Sequence, residues 1–198
     1  MKFKFGKLSK DKLIGMGFVL ILPLLALILA YKLVLFWGDF NTGQQQVIDY
    51  VTGTAEELSE DYTVLEISHL NDVLAINKKL NYLFWLLLAG AVLILISSLR
   101  QRSVLKKLVL SGGAATAGLG LVMSIVAAAG FNKLFLIFHY WLFPQGNWSF
   151  PVNYRLIEIF PQEFFVAISR NILILTIFIG IVFIVASFLI QNKHRAID

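Results

Sequence analysis

Two of the three histidines in this chain have surroundings suited to proton transfer, and His69 is the first. Glu66, His69 and Asp72 recur at intervals of three residues and would lie along one face of a helix. A carboxylate beside an imidazole fixes its tautomer and raises its basicity, as a general base requires. A solvated polar helix face is the other interpretation of this spacing.

His139 is the second candidate and lies in an aromatic sequence, between Phe138 and the pair Tyr140 and Trp141. It follows an apolar segment directly, at the depth where aromatic belts form in membranes. A partly dehydrated setting keeps an imidazole neutral and able to exchange protons. An interfacial anchor is the alternative role. The third histidine, His194, lies among basic residues near the C-terminus.

Other kinds of chemistry have weaker support in the sequence. The chain has no cysteine, which excludes disulfides, thiolate nucleophiles and iron–sulfur clusters. A zinc site from His69, His139 and a carboxylate is chemically possible, but no His-Glu-x-x-His motif anchors it. Ser68 and Ser149 lack the context of a hydrolase nucleophile. The net charge of +5 is not accompanied by a nucleic-acid-binding module. We predict no metal, no cofactor and no nucleic-acid partner.

The composition places these residues in a membrane protein, because 58% of the residues are hydrophobic and only 15% are charged. A helix needs about 20 consecutive apolar residues to cross the bilayer core. The sequence therefore predicts an all-α integral membrane protein, forming a single membrane domain over residues 1–198, with the first span retained as an anchor. The four predicted transmembrane helices are residues 13–37, 82–99, 108–130 and 164–190.

Charge distribution predicts how the spans are oriented. Cytoplasmic segments are enriched in lysine and arginine, and these residues concentrate before the first span, between the second and third, and after the fourth. All but two of the twelve carboxylates lie in the other connecting segments, residues 38–81 and 131–163. Both termini are therefore predicted to be cytoplasmic, with two extracytoplasmic segments. The basic residues on the predicted cytoplasmic side are Lys2, Lys4, Lys7, Lys10, Lys12, Arg100, Arg102, Lys106, Lys107, Lys193 and Arg195.

The two extracytoplasmic segments differ in character. The first is predicted to be helical, since Thr54 and Glu57 have the spacing of a capping box and apolar residues follow at helical intervals. The second is predicted to be an irregular aromatic stretch, interfacial or re-entrant, broken by Pro144, Pro151 and Pro161. Within the third span, the glycine- and alanine-rich residues 111–120 predict close helix packing.

Several stretches of the chain resemble the lipoprotein intramolecular transacylase family of Gram-positive bacteria. The most specific are a His-x-x-Asp-Val sequence at residues 69–73 and a Phe-His pair at residues 138–139. The resemblance extends over essentially the whole chain, with the same four spans. The other stretches that carry it are residues 46–53, 148–150, 156–157 and 160–165.

This resemblance implies an acyltransferase. Such an enzyme would move the sn-2 acyl chain of a diacylglyceryl-modified lipoprotein onto the α-amine of its N-terminal cysteine, leaving a lyso-form lipoprotein. Its partners would be such lipoproteins and membrane lipids, its active site would face the extracytoplasmic side of the cell membrane, and no cofactor would be required. Because amine and ester belong to one molecule, orienting them removes much of the barrier.

The residues expected to act are the two histidines. We assign His69, supported by Glu66 or Asp72, as the base and His139 as the oxyanion stabiliser or acid, although the sequence leaves their order open. The resemblance alone suggests that Asp49, Tyr50 and Trp148 position the substrate. Arg155 and Arg170 are candidate ligands of a lipid phosphate or carboxylate, and snorkelling to the headgroups is the ordinary alternative.

Two other functions use the same features. A metal-dependent membrane lipid or peptide hydrolase would employ both histidines and would lose activity to chelators. A non-catalytic lipoprotein- or lipid-binding factor would tolerate the loss of either imidazole.

Overall fold

A computed structural model describes residues 10–58 and 61–190 of the chain, and in these ranges the regular structure is helical. His194, which follows them, lies outside the described residues. The helices are α1 (Lys10–Trp37), α2 (Thr42–Thr52), α3 (Val64–Ser98), α4 (Arg102–Leu142), α5 (Arg155–Ile159) and α6 (Gln162–Leu189).

Four of these helices, α1, α3, α4 and α6, are long and apolar enough to cross a membrane. Each contains one of the predicted spans, which confirms the all-helical class. With 35 and 41 residues, α3 and α4 are about 52 and 62 Å long and exceed the hydrocarbon core of about 30 Å. Their polar ends therefore extend beyond the apolar spans. The cytoplasmic location of the termini stays a prediction.

α1 is the central helix of the bundle, because it contacts α3, α4 and α6. α4 packs most extensively on α6, whereas α3 meets α4 only sparsely. One apolar cluster joins α1 to its neighbours through Phe18, Leu22, Phe84 and Leu108. α1 thus holds α3 in place beside the α4–α6 pair.

Glycines allow the close approach of α4 and α6. A Cβ atom added to Gly113 would lie 2.8 Å from the carbonyl oxygen of Gly180, and one added to Gly120 would lie 2.7 Å from Cγ1 of Ile177. Packing through small residues is the usual way in which helices associate in lipid, where apolar burial gives no advantage over lipid contact. The close packing predicted for residues 111–120 is confirmed.

We expect Gly180→Ala to destabilise the bundle by about 1 to 3 kcal/mol, the usual cost of overpacking. The new Cβ would lie 2.5 Å from the backbone nitrogen of Ala117, which cannot move without shifting α4. The measurement is the thermal unfolding midpoint in detergent micelles. Gly118→Ala is the matched control, because nothing lies within 4 Å of its added Cβ. Equal midpoints for both variants would contradict this interpretation.

The segment predicted to be the first extracytoplasmic one is helical, but it is divided into two helices. α2 ends at Gly53, whose φ of 80° is in the left-handed region that glycine tolerates. The predicted capping box at Thr54 and Glu57 is therefore wrong, since Thr54 lies in the turn after α2 and its hydroxyl donates to the carbonyl oxygen of Asp49. The capping box that begins α3 is formed by Thr63 and Glu66.

The segment predicted to be the second extracytoplasmic one is less irregular than expected. Residues 131–142 continue α4 as a helix, after non-helical backbone at Gly130. The prediction of irregular structure was wrong for these twelve residues and for the five residues of α5, and it was correct for residues 143–154. The prolines match the breaks, because Pro144 follows α4 closely and Pro161 precedes α6.

Candidate active site

The fold brings His69 and His139 together. α3 and α4 are joined by residues 99–101, so the beginning of α3 and the end of α4 lie at the same end of the bundle. His69 is the sixth residue of α3, and His139 is in the last turn of α4. Their ring centroids are 6.3 Å apart with an interplanar angle of 29°. The two imidazoles are therefore neighbours, as a shared role in proton transfer requires.

Glu66 has a structural task at the start of α3. Its side chain is 1% exposed and accepts hydrogen bonds from the backbone N–H and the hydroxyl of Thr63, at 2.8 and 2.9 Å. Its other oxygen accepts a 2.8 Å hydrogen bond from the backbone N–H of Leu156. The carboxylate thus fastens α5 to α3. These contacts correct the expectation that Glu66 supports His69 directly.

Asp72 is the carboxylate that acts on His69, since its charge raises the pKa of that imidazole. One of its oxygens also accepts hydrogen bonds from the side-chain amides of Gln145 and Asn147, both at 2.6 Å. Gly146, with a φ of 79°, forms the turn between these two amides. Asp72 therefore ties the loop after α4 to α3.

Aromatic rings surround both imidazoles, burying His139 and leaving His69 partly exposed. His139 is 8% exposed, and the ring of Trp148 lies 5.0 Å from it. Phe143 contacts both histidines and bridges α3 and α4. The ring centroid of Phe143 lies 4.6 Å from that of His69 and 5.6 Å from that of His139. The ring centroid of Phe150 lies 5.7 Å from that of His69, and that of Phe135 lies 4.0 Å from that of His139.

Burial controls the protonation of both histidines, which lie outside the predicted spans. Desolvation lowers the pKa of His69 strongly, the nearby His139 lowers it further, and Asp72 opposes the shift. Desolvation also lowers the pKa of His139, while a hydrogen bond to the carbonyl of Phe135 raises it. Because an unperturbed imidazole has a pKa of about 6.5, both rings are neutral at neutral pH.

A single hydrogen bond fixes the tautomer of His139. Its Nδ1 lies 2.8 Å from the carbonyl oxygen of Phe135. A carbonyl oxygen only accepts, so Nδ1 carries the proton and Nε2 keeps its lone pair. The neutral ring is therefore prepared to accept a proton at Nε2.

Three buried polar atoms in this cluster have no hydrogen-bond partner among the residues that the structure describes. They are Nδ1 of His69, Oδ1 of Asn147 and Nε1 of Trp148. A buried polar group without a partner costs about 1 to 3 kcal/mol, and such groups are typical of catalytic sites. The cluster thus offers donor and acceptor groups to a ligand.

The other residues selected from the sequence lie elsewhere. The hydroxyl of Tyr50 donates to the side-chain oxygen of Asn71, which anchors α2 on α3. Asp49 accepts hydrogen bonds from Gln45 and Thr54, within and just after α2. Both contacts are made around the end of α2, so they place neither residue against the imidazoles.

The two selected arginines are exposed at the protein surface. Nη1 of Arg155 lies 3.9 Å from Oε2 of Glu158. Arg155 also lines a shallow polar cleft of about 320 Å³, and neither histidine is among the residues that line it. Arg170 is exposed on α6. Within the described ranges, no three histidine, aspartate or glutamate side chains converge as metal ligands would.

Sequence reasoning missed the residues that complete the site. Phe143 and Phe150 wall the imidazoles, and Gln145 and Asn147 secure the loop. The sequence does contain a signal for the loop, because two amide residues flank Gly146 just after a helix-ending proline.

Comparisons with known proteins agree with this architecture. The model of the family described as lipoprotein intramolecular transacylase Lit matches residues 37–165. The solved structure of the membrane-integral lipoprotein intramolecular transacylase from Bacillus cereus is 22% identical, has a TM-score of 0.82, and covers 93% of this chain and 97% of that chain. A form of that protein with one histidine replaced by arginine is 20% identical, with a TM-score of 0.77 and 93% of each chain covered. At these identities the structures show the same fold. A comparison with curated proteins finds no match.

Proposed function

Because this chain belongs to the lipoprotein intramolecular transacylase family, we propose that it moves the sn-2 acyl chain of a diacylglyceryl-modified lipoprotein onto the α-amine of the N-terminal cysteine. The observation that carries the proposal is the pair of neutral imidazoles, 6.3 Å apart in an aromatic enclosure. The enclosure lies at the end of the bundle that the charge distribution predicts to be extracytoplasmic, where a lipid-anchored protein presents its glycerol esters.

The proposed reaction is an intramolecular aminolysis. The amine nitrogen attacks the carbonyl carbon of the ester, a C–N bond forms, and the C–O bond to the sn-2 oxygen breaks. One amine proton ends on the glycerol oxygen. The transition state closes a ring of about eight atoms, so holding amine and ester together supplies much of the rate acceleration. The steps that remain are proton transfer and stabilisation of the oxyanion.

We assign the proton transfer to His139. Its Nδ1–H is committed to the carbonyl of Phe135, which leaves Nε2 free to take a proton from the attacking amine and return it to the leaving oxygen. This order reverses the one favoured from the sequence, in which His69 is the base. The lowered pKa of His69 supports the reversal, because a strongly desolvated imidazole is a poor base.

His69 then acts as a neutral hydrogen-bond donor to the oxyanion. Its unpartnered Nδ1 and the unpartnered Nε1–H of Trp148 are buried in the same aromatic cluster. A donor that is already oriented costs no reorganisation when the negative charge develops, and the loss of one such donor typically lowers kcat about 10² to 10³-fold. Asp72 holds the loop that carries Trp148 against α3. Trp148 is therefore the substrate-binding residue with the most direct geometric support.

The proposal gives no role at the reacting atoms to four of the residues selected from the sequence, which are Asp49, Tyr50, Arg155 and Arg170. Their position outside the histidine cluster suits contacts with the peptide or headgroup regions of the substrate rather than with the reacting atoms. Arg155 and Arg170 are both exposed and accessible to anionic lipid. These substrate-binding assignments remain predictions.

The test is mass spectrometry of one lipoprotein's N-terminal peptide, from cells of a transacylase-deficient strain with and without this chain. Acyl migration is an isomerisation, so the intact mass of the peptide stays constant and only fragmentation locates the acyl group. We expect the chain to produce N-acyl, lyso-form peptide with no free α-amine. A peptide lighter by one acyl chain would favour the hydrolase alternative, and an unchanged peptide would favour the binding factor.

A separate experiment with purified protein and a chelator addresses metal dependence. Two imidazoles can supply the proton transfers and the oxyanion donor, so we expect purified protein to keep its activity after exhaustive chelation. Activity that disappears with chelator and returns with zinc would move the metal-dependent alternative to first place.

A further inference from the structure

Asn147 lies between the two histidine-bearing helices. Its side-chain nitrogen donates to Asp72 at 2.6 Å and to Ser68 at 3.2 Å, and these two residues flank His69 in α3. The next residue, Trp148, packs on His139. Asn147 is thus hydrogen-bonded to the helix that carries His69, while the next residue, Trp148, packs on His139.

The contact with Asp72 also fixes which way the amide group points. A carboxylate oxygen only accepts hydrogen bonds, so the Asn147 atom beside Asp72 has to be the nitrogen. The other end of the amide, Oδ1, is buried and has no partner among residues 10–58 and 61–190. The structure therefore presents an oriented acceptor within the cluster that holds the two donors, His69 and Trp148.

An acceptor at this position discriminates between the two reacting groups of the substrate. The ester has no hydrogen-bond donor, whereas the attacking amine has N–H groups. We propose that Oδ1 of Asn147 binds an N–H of the α-amine and directs the nitrogen lone pair at the ester carbonyl. This inference rests on the proposed acyl transfer and adds to it a positioning residue for the nucleophile.

The proton inventory of the reaction is compatible with this contact. A primary amine that has attacked the ester carries two N–H bonds and a positive charge. His139 removes one proton, which goes to the sn-2 oxygen, and the other N–H stays with Asn147 and becomes the amide N–H of the product. Asn147 itself gains and loses no proton.

The test compares Asn147→Ala with Gln145→Ala in membranes, using a synthetic diacylglyceryl lipopeptide. Both substitutions remove a 2.6 Å hydrogen bond to Asp72, but only the first removes the acceptor. We expect Asn147→Ala to lower acyl transfer about 10 to 100-fold and Gln145→Ala to lower it far less. We also expect Asn147→Ala to release a larger share of acyl chain by hydrolysis, because the ester is still activated while the amine is misplaced.

Asn147→Gln keeps an amide, with its nitrogen for Asp72 and its oxygen as the acceptor, and it tests the inference if Asn147→Ala fails to accumulate. We expect it to retain the low hydrolysis share of the unsubstituted chain, even where its rate falls. Equal losses for Asn147→Ala and Gln145→Ala with an unchanged hydrolysis share, or a raised hydrolysis share for Asn147→Gln, would overturn the inference. A lack of N-acyl product from the unsubstituted chain would instead refute the proposed function.

Discussion

Replacing His139 by alanine is expected to lower the rate of acyl transfer by about 10² to 10⁴-fold, the usual contribution of a general acid–base group. The imidazole is fixed by the contact of its Nδ1 with the carbonyl oxygen of Phe135 and by the packing of the Phe135 ring on it. The measurement is conversion of diacylglyceryl to N-acyl peptide at matched membrane levels of each variant.

Two further variants are needed to interpret this result. His139→Asn should be as inactive as His139→Ala, because an amide cannot accept a proton near neutral pH. His194→Ala should leave the rate of acyl transfer nearly unchanged. His194 is predicted to lie on the cytoplasmic side, separated from the outer leaflet by about 30 Å of hydrocarbon. Near-normal transfer by His139→Ala would refute its assignment as the base.

The transmembrane spans could be predicted because lipid offers no hydrogen-bond partners to the backbone. A helix in hydrocarbon has to satisfy its own hydrogen bonds over about 20 apolar residues, and that requirement is visible in the sequence. The start of α3 could not be predicted in the same way. Thr54 and Thr63 are each followed by a glutamate three residues later, and only the left-handed turn at Gly53 decides between them.

The candidate site was predictable only in part, for a similar reason. The topology alone brings His69 and His139 to one end of the bundle. Glu66 and Asp72 are equally spaced on either side of His69, so spacing cannot say which carboxylate acts on it. The choice depends on a contact between distant segments, the hydrogen bond from Leu156 that commits Glu66 elsewhere. The same is true of Asn147, whose partner Asp72 is 75 residues earlier in the chain.

His69→Ala and His69→Asn are expected to differ in activity by at least about tenfold, although both remove the imidazole. If His69 serves as a neutral donor, the loss of its N–H costs about 10² to 10³-fold in His69→Ala. The amide nitrogen of asparagine can occupy the position of Nδ1 and restore part of that stabilisation. Transfer rates for both variants should be measured across pH 6 to 9 with the same lipopeptide.

The pH profile tests whether His69 stays neutral during the reaction. The substrate amine, with a pKa of about 7.7 to 8.0, has to be neutral to attack, so transfer should rise with pH through that range. The pKa of His69 is lowered well below it, so the ring stays neutral throughout and His69→Asn should leave the midpoint of the rise unchanged. A His69→Asn variant as inactive as His69→Ala, together with a His139→Asn variant that retains activity, would restore the opposite order of roles. Groups that act as a unit are not additive, so the His69→Ala, His139→Ala double variant should be little worse than either single variant.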